Sequence, residues 1–153
     1  MLRLKALIVV FLCLFFSSYI QASNVLLTTI RGQQIPFSSL KGKWVFINYW
    51  ASWCQPCIDE INELNRFYRQ QKHKVALFAV NYDMLPRAQQ MQLIKKYNIR
   101  YPSLQNNPAR QLRLGNIPGV PATFVFNPKG ELIQTLFGPQ TLLSLNEAMI
   151  HAS

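Results

Sequence analysis

Apolar and polar positions along the chain alternate between two periods. Trp44-Val45-Phe46-Ile47-Asn48-Tyr49, entered through Lys41-Gly42-Lys43, is a β-rich run that predicts a buried strand. From Pro56 to about Gln70 the period changes. Ile58, Ile61, Leu64 and Tyr68 recur at helical spacing with Phe67 beside them, while Asp59, Glu63 and Arg66 take the other side. Pro56 suits the first turn of that helix, where its missing N–H would be unpaired anyway. Val75 to Val80 is an unbroken apolar run, the pattern of a strand covered on both faces. Two strands joined by a helix form a parallel, right-handed βαβ unit. Pro86 opens a further helix to about Tyr97, with Met91, Ile94 and Tyr97 predicted inward. Residues 98–119 are broken by Pro102, Asn106, Asn107, Pro108, Gly115, Pro118 and Gly119, and allow at most a short strand or a turn of helix. Pro121 to Phe126 and Glu131 to Phe137 then flank Asn127-Pro128-Lys129-Gly130, a turn signal that predicts an antiparallel hairpin. Gly138-Pro139 ends it, ahead of a last helix carrying Leu142, Leu145 and Met149. A small leading hairpin is predicted from Val25 to Ile30 and Gln33 to Phe37 around Arg31-Gly32.

Ahead of this pattern lies a different one. Arg3 and Lys5 precede an apolar run from Ala6 to Phe16, and Ser17, Ser18 and Ile20-Gln21-Ala22 follow, the layout of a secretory signal peptide. The run is much shorter than the roughly 20 residues that span a bilayer. Residues 1–22 are therefore read as a cleaved leader, with an uncleaved anchor through residues 6–20 as the alternative. Cys13 lies inside the leader and has no role in the mature fold. Residues 23–153 suit one domain with a single core, expected to act as a monomer in the periplasm.

Export changes the meaning of the cysteines. The mature chain keeps two, Cys54 and Cys57, in Trp50-Ala51-Ser52-Trp53-Cys54-Gln55-Pro56-Cys57. Disulfides persist in an oxidising compartment, yet a bridge this short restricts the unfolded chain little, so a structural staple explains the pair poorly. Zinc wants about four ligands, and beyond the pair the mature chain offers only His73 and His151, neither at ligand spacing. A copper-binding module would lack the His or Met partners of a soft site. Redox chemistry is the favoured reading, with no metal and no cofactor. A redox-inert adaptor remains a third class, and would require both cysteines to be dispensable. The formal charge is +10; Arg3 and Lys5 belong to the leader, which leaves +8 on the mature chain. The basic residues are scattered, as on a solvated surface, and nothing points to nucleic acid.

A βαβ unit followed by ββα, with Cys-x-x-Cys where the first strand meets its helix, is the pattern of the thioredoxin fold. The stretch Ile47 to Cys57 followed by Glu60 resembles the exported TlpA/ResA/CcmG group of thioredoxin-like thiol–disulfide oxidoreductases. Gly119-Val120-Pro121-Ala122-Thr123-Phe124-Val125-Phe126 through Gly130 resembles that group's proline loop and closing hairpin, and Tyr97 to Pro102 its linking segment. The expected fold is α/β: a central mixed sheet built from βαβ and ββα units, preceded by a short N-terminal β-hairpin.

A helix N-terminus lowers a cysteine pKa by partial positive charge and free N–H groups. Cys54 stands at that position and is expected to be the nucleophile. Cys57, one turn in and more buried, is expected to resolve the Cys54–substrate mixed disulfide. The resemblance implies that Pro121 is cis and lies against the disulfide, with the backbone of Val120 free to pair with substrate; on the sequence alone a trans proline fits equally well. Thioredoxin's buried aspartate is replaced here by Asn48, which cannot act as a base. The resemblance instead offers Glu60, which shares a helix face with Cys57; its alternative is a first-turn surface acid favoured by the helix dipole. Trp53 is expected beside the cysteines, shaping the docking surface, with Trp44 and Trp50 in packing roles. The partners implied are protein thiol and disulfide substrates such as apocytochrome c, and a membrane thiol–disulfide electron donor. Neutral Gln55, the missing N–H of Pro56 and the acids of the helix favour a reductant over a DsbA-like oxidant.

Overall fold

The computed structural model describes residues 25–150. The leader at 1–22, its tether alternative at 6–20, Cys13 and His151 lie outside the described residues. A short hairpin opens the fold, with β1 (Leu26–Thr28) antiparallel to β2 (Gln34–Pro36). A single 3₁₀ turn, Phe37–Leu40, leads to β3 (Trp44–Trp50), α1 (Gln55–Gln71), β4 (Val75–Asn81) and α2 (Arg87–Lys96). The two-residue strand β5 (Ser103–Leu104), β6 (Ala122–Phe126), β7 (Leu132–Phe137) and α3 (Leu142–Glu147) complete it. Residues 25–150 thus carry the expected βαβ and ββα units and the leading hairpin. Among them no helix is long and apolar enough to cross a membrane.

The main sheet runs β5-β4-β3-β6-β7. β3 is parallel to β4 and antiparallel to β6, so this apolar central strand has neighbours on both edges. That position explains its composition: a strand covered on both faces and paired on both edges leaves nothing for water to solvate. Its side chains alternate between two cores. Phe46 and Trp50 join a cluster with Ile61, Leu64 and Phe67 of α1 and Leu145 of α3. Val45, Ile47 and Tyr49 join the other, with Leu27 of the hairpin, Phe37, Leu104 and Phe124. Phe67 and Leu64 have no exposed surface, each worth about 1.5–3 kcal/mol relative to solvent. The first cluster welds α1 to β3, which fixes the junction where both cysteines sit.

The ends of the elements follow their capping chemistry. Thr141 Oγ1 accepts from Ser144 N at 3.2 Å and Ser144 Oγ accepts from Thr141 N at 3.0 Å, a capping box that starts α3. In the β6–β7 turn, Asn127 Oδ1 accepts from the amides of Lys129 and Glu131, both at 3.0 Å, and Gly130 takes a φ of 85° that a side chain would resist.

α2 differs from the sequence reading in its facing. Met91 points outward, 46 % exposed, while Gln90 is buried. Leu93, Ile94 and Tyr97 supply the apolar contact. The buried Gln90 amide is paired there, donating from Nε2 to the Leu85 backbone carbonyl ahead of the helix at 2.6 Å. A buried glutamine with that bond displaces the methionine the periodicity had put inside.

Candidate active site

β3 ends at Trp50, and a three-residue turn places Cys54 at the N-cap of α1. Cys54 and Cys57 are joined as a disulfide, with Cα atoms 5.3 Å apart. Cys54 keeps 5 % exposure and Cys57 none, so of the pair only Cys54 is reached by solvent. Cys57 N donates to Cys54 Sγ at 3.2 Å. Pro56 sits in the first turn and carries no N–H. Gln55 turns away from the sulfur, donating to Asp59 Oδ1 at 2.8 Å.

The proline loop closes over this helix start. The Val120–Pro121 peptide bond is cis, and Val120 O lies 3.6 Å from Cys54 Sγ. Pro121 is buried, and its carbonyl accepts from Gly138 N at 2.9 Å, which ties the loop to the end of β7. Cys54, Cys57, Val120 and Pro121, far apart in sequence, are thereby brought to one place.

Trp53, expected beside the cysteines on the docking surface, directly precedes Cys54 in the turn before α1. It is 65 % exposed, and its indole N–H donates to Asp83 at 2.9 and 3.1 Å, with Tyr82 edge-on at 6.5 Å. Tyr82 OH in turn donates to Ile117 O at 3.2 Å, on the stretch leading to the proline loop. An indole N–H this close to a carboxylate takes the stronger acceptor, which swings the ring onto the 81–86 turn. Trp50 is buried and Trp44 half-buried, as packing residues. Asp83 was not foreseen; an acid in a turn leaves no periodic signal.

Glu60 is buried, 2 % exposed, one turn along α1 from Cys57. It is therefore no surface acid. Oε1 accepts from Asn48 Nδ2 at 2.7 Å and Oε2 from Gln140 N at 2.8 Å. Asn48 Nδ2 also donates to Thr123 Oγ1 at 3.0 Å. Burial pushes the Glu60 carboxyl up to about 7, against the two hydrogen bonds that favour its charged form. A group poised there can exchange a proton near neutral pH. Asn48 was missed as its partner, and Thr123 as the partner of Asn48, although each interrupts an apolar strand, which is a legible sign. Among the described residues no group of three or more His, Cys, Asp or Glu could hold a metal ion.

The comparisons with known proteins agree with this geometry. The model of the AhpC/TSA family matches residues 20–135. The thiol-disulfide oxidoreductase ResA of Bacillus subtilis (strain 168) is 32% identical over 131 residues, covering 85% of this chain and 70% of ResA. The crystal structure of StoA from Bacillus subtilis superposes with a TM-score of 0.66 at 29% identity, over 80% of this chain and 93% of StoA. That of a thiol:disulfide interchange protein of the thioredoxin family from Chlorobium tepidum TLS gives 0.68 at 25% identity, over 86% and 94%. Because the family match runs through both the cysteine helix and the proline loop, the chain belongs to the AhpC/TSA family, as a thiol–disulfide oxidoreductase of thioredoxin-like fold.

Proposed function

We propose that this oxidoreductase is exported and works as a reductant of disulfides in other exported proteins, apocytochrome c among them. In the dithiol state Cys54 attacks the substrate disulfide as thiolate, forming a Cys54–substrate mixed disulfide and releasing one substrate thiolate. Cys57 then loses its proton and attacks Cys54 Sγ, which closes the Cys54–Cys57 bond and expels the second substrate thiolate. Two electrons pass from the pair to the substrate. Glu60, on the Cys57 face of α1, is the group that takes the Cys57 proton. Val120 offers its backbone to the substrate strand, Pro121 holds that backbone in place, and Trp53 forms the outer wall. A membrane thiol carrier returns the pair to its dithiol state.

The observation that supports a reductant is the surroundings of Cys54 Sγ. One backbone N–H reaches it, that of Cys57, and the Val120 carbonyl oxygen stands on another side. A strong oxidant needs its reduced thiolate stabilised by cations or several donors, and Gln55 and Pro56 supply neither. Trapping tests the substrate assignment: Cys57→Ser expressed in the cell should hold exported thiol proteins as mixed disulfides, with c-type apocytochromes among them. Recovery of other exported proteins without any apocytochrome would remove that substrate.

A further inference from the structure

Four segments contribute to the hydrogen-bond cluster around the Glu60 carboxyl group. β3 presents Asn48, β6 presents Thr123, the turn before α3 presents the Gln140 amide, and α1 itself carries Cys57 and Glu63. The other titratable group close enough to act on it is Tyr101, buried and ahead of β5, whose phenol is pushed up by burial and by the Glu60 charge. Glu63 is turned elsewhere, to Leu142 N and Arg66. Among the described residues, none of the groups facing Glu60 is a cation.

The Asn48 amide is used on one side. Its nitrogen gives hydrogens to both Glu60 Oε1 and Thr123 Oγ1, whereas Oδ1 is buried with no partner among the described residues. A half-turn of the amide about its terminal torsion exchanges oxygen and nitrogen and leaves the count of unpaired buried atoms unchanged. Both neighbours can meet either orientation: a threonine hydroxyl donates or accepts, and a carboxyl group accepts when ionised and donates when protonated. Aspartate at position 48 would put a second charge beside the first, and leucine would offer nothing.

We propose that Asn48 is a positioning residue of the redox site, its amide donating to the Glu60 carboxylate and turning over to accept from the Glu60 carboxyl group. The buried acid then keeps a partner whether or not it holds a proton. This rests on Glu60 as the acceptor of the Cys57 proton: the proton leaves Cys57 Sγ as that sulfur attacks Cys54, and goes to a Glu60 oxygen.

Two measurements test it. The Asn48 side-chain amide resonances, followed by NMR in the intact oxidised protein, should move through a titration near pH 7 and stay fixed in Glu60→Gln; an Asn48 signal that ignores pH overturns the proposal. The second measurement is the pH profile of mixed-disulfide resolution in single turnover. Glu60→Gln should lose the inflection that Glu60 provides. Asn48→Leu should keep it but move it up by about one pH unit, because of the two bonds lost the one to the charged form is the stronger. Thr123→Val, which conserves volume, should move it less and in the same direction. Adding Asn48→Leu to Glu60→Gln should change nothing further in the profile. A profile that is lost in Glu60→Gln yet unmoved in both Asn48→Leu and Thr123→Val defeats the role of Asn48 alone. One that survives in Glu60→Gln defeats the role of Glu60 as well.

Discussion

Cys54 and Cys57 are chemically identical side chains made unequal by their places on one helix. The N-cap sulfur takes a backbone hydrogen bond and retains exposure, while its partner has no exposed surface. Cys54→Ser should therefore abolish disulfide exchange, and Cys57→Ser should accumulate mixed disulfides on non-reducing gels; equal trapping by the two variants would refute the division of labour. Glu60 makes a second residue-scale prediction. Its carboxyl sits at about 7 when folded against an ordinary value of 4.5. Between those values the folded protein binds more protons than the unfolded one, so the stability is full below about pH 4.5 and falls as pH rises towards 7. The loss amounts to about 3 kcal/mol. Urea titration of the oxidised protein at pH 5 and pH 8 should show that decline, and Glu60→Gln should flatten most of it.

α1 joins the redox pair to the core, and its packing sets how firmly the site is held. Phe67 lies edge-on to Phe46 with ring centroids 4.9 Å apart, and neither ring has exposed surface. Phe67→Ala should cost about 3–5 kcal/mol in chemical denaturation. A loss below about 1 kcal/mol would mean that the helix is anchored elsewhere. The apolar stripe of α1 was legible because its period and its burial coincide, and β3 and β4 were legible because both faces of each are covered. α2 was legible as a helix but not in its facing, since a glutamine whose amide donates to a backbone carbonyl can occupy an inner position that periodicity assigns to a methionine. The site divides in the same way. Spacing and family resemblance carried Cys54, Cys57, Pro121 and Glu60, whereas the Asn48–Glu60 and Trp53–Asp83 bonds depend on tertiary approach across 12 and 30 residues.

At the scale of the whole molecule, the +10 formal charge is spread over the chain, and the proposed export would remove residues 1–22 and leave +8 on the folded domain. Mass spectrometry of the protein recovered from cells should find residues 1–22 removed; an intact N-terminus would instead point to a tethered form. Direction of electron flow is the property that the surroundings of one sulfur impose on the entire protein. The most direct measurement is the reduction potential of the Cys54–Cys57 couple, by equilibration with glutathione buffers of graded ratio. A pair whose Cys54 sulfur, in the disulfide, has one backbone donor and no cation beside it should come to rest nearer roughly −270 than −120 mV. A potential above about −180 mV, together with efficient oxidation of reduced peptides, would contradict the reductant and identify a disulfide-forming oxidant.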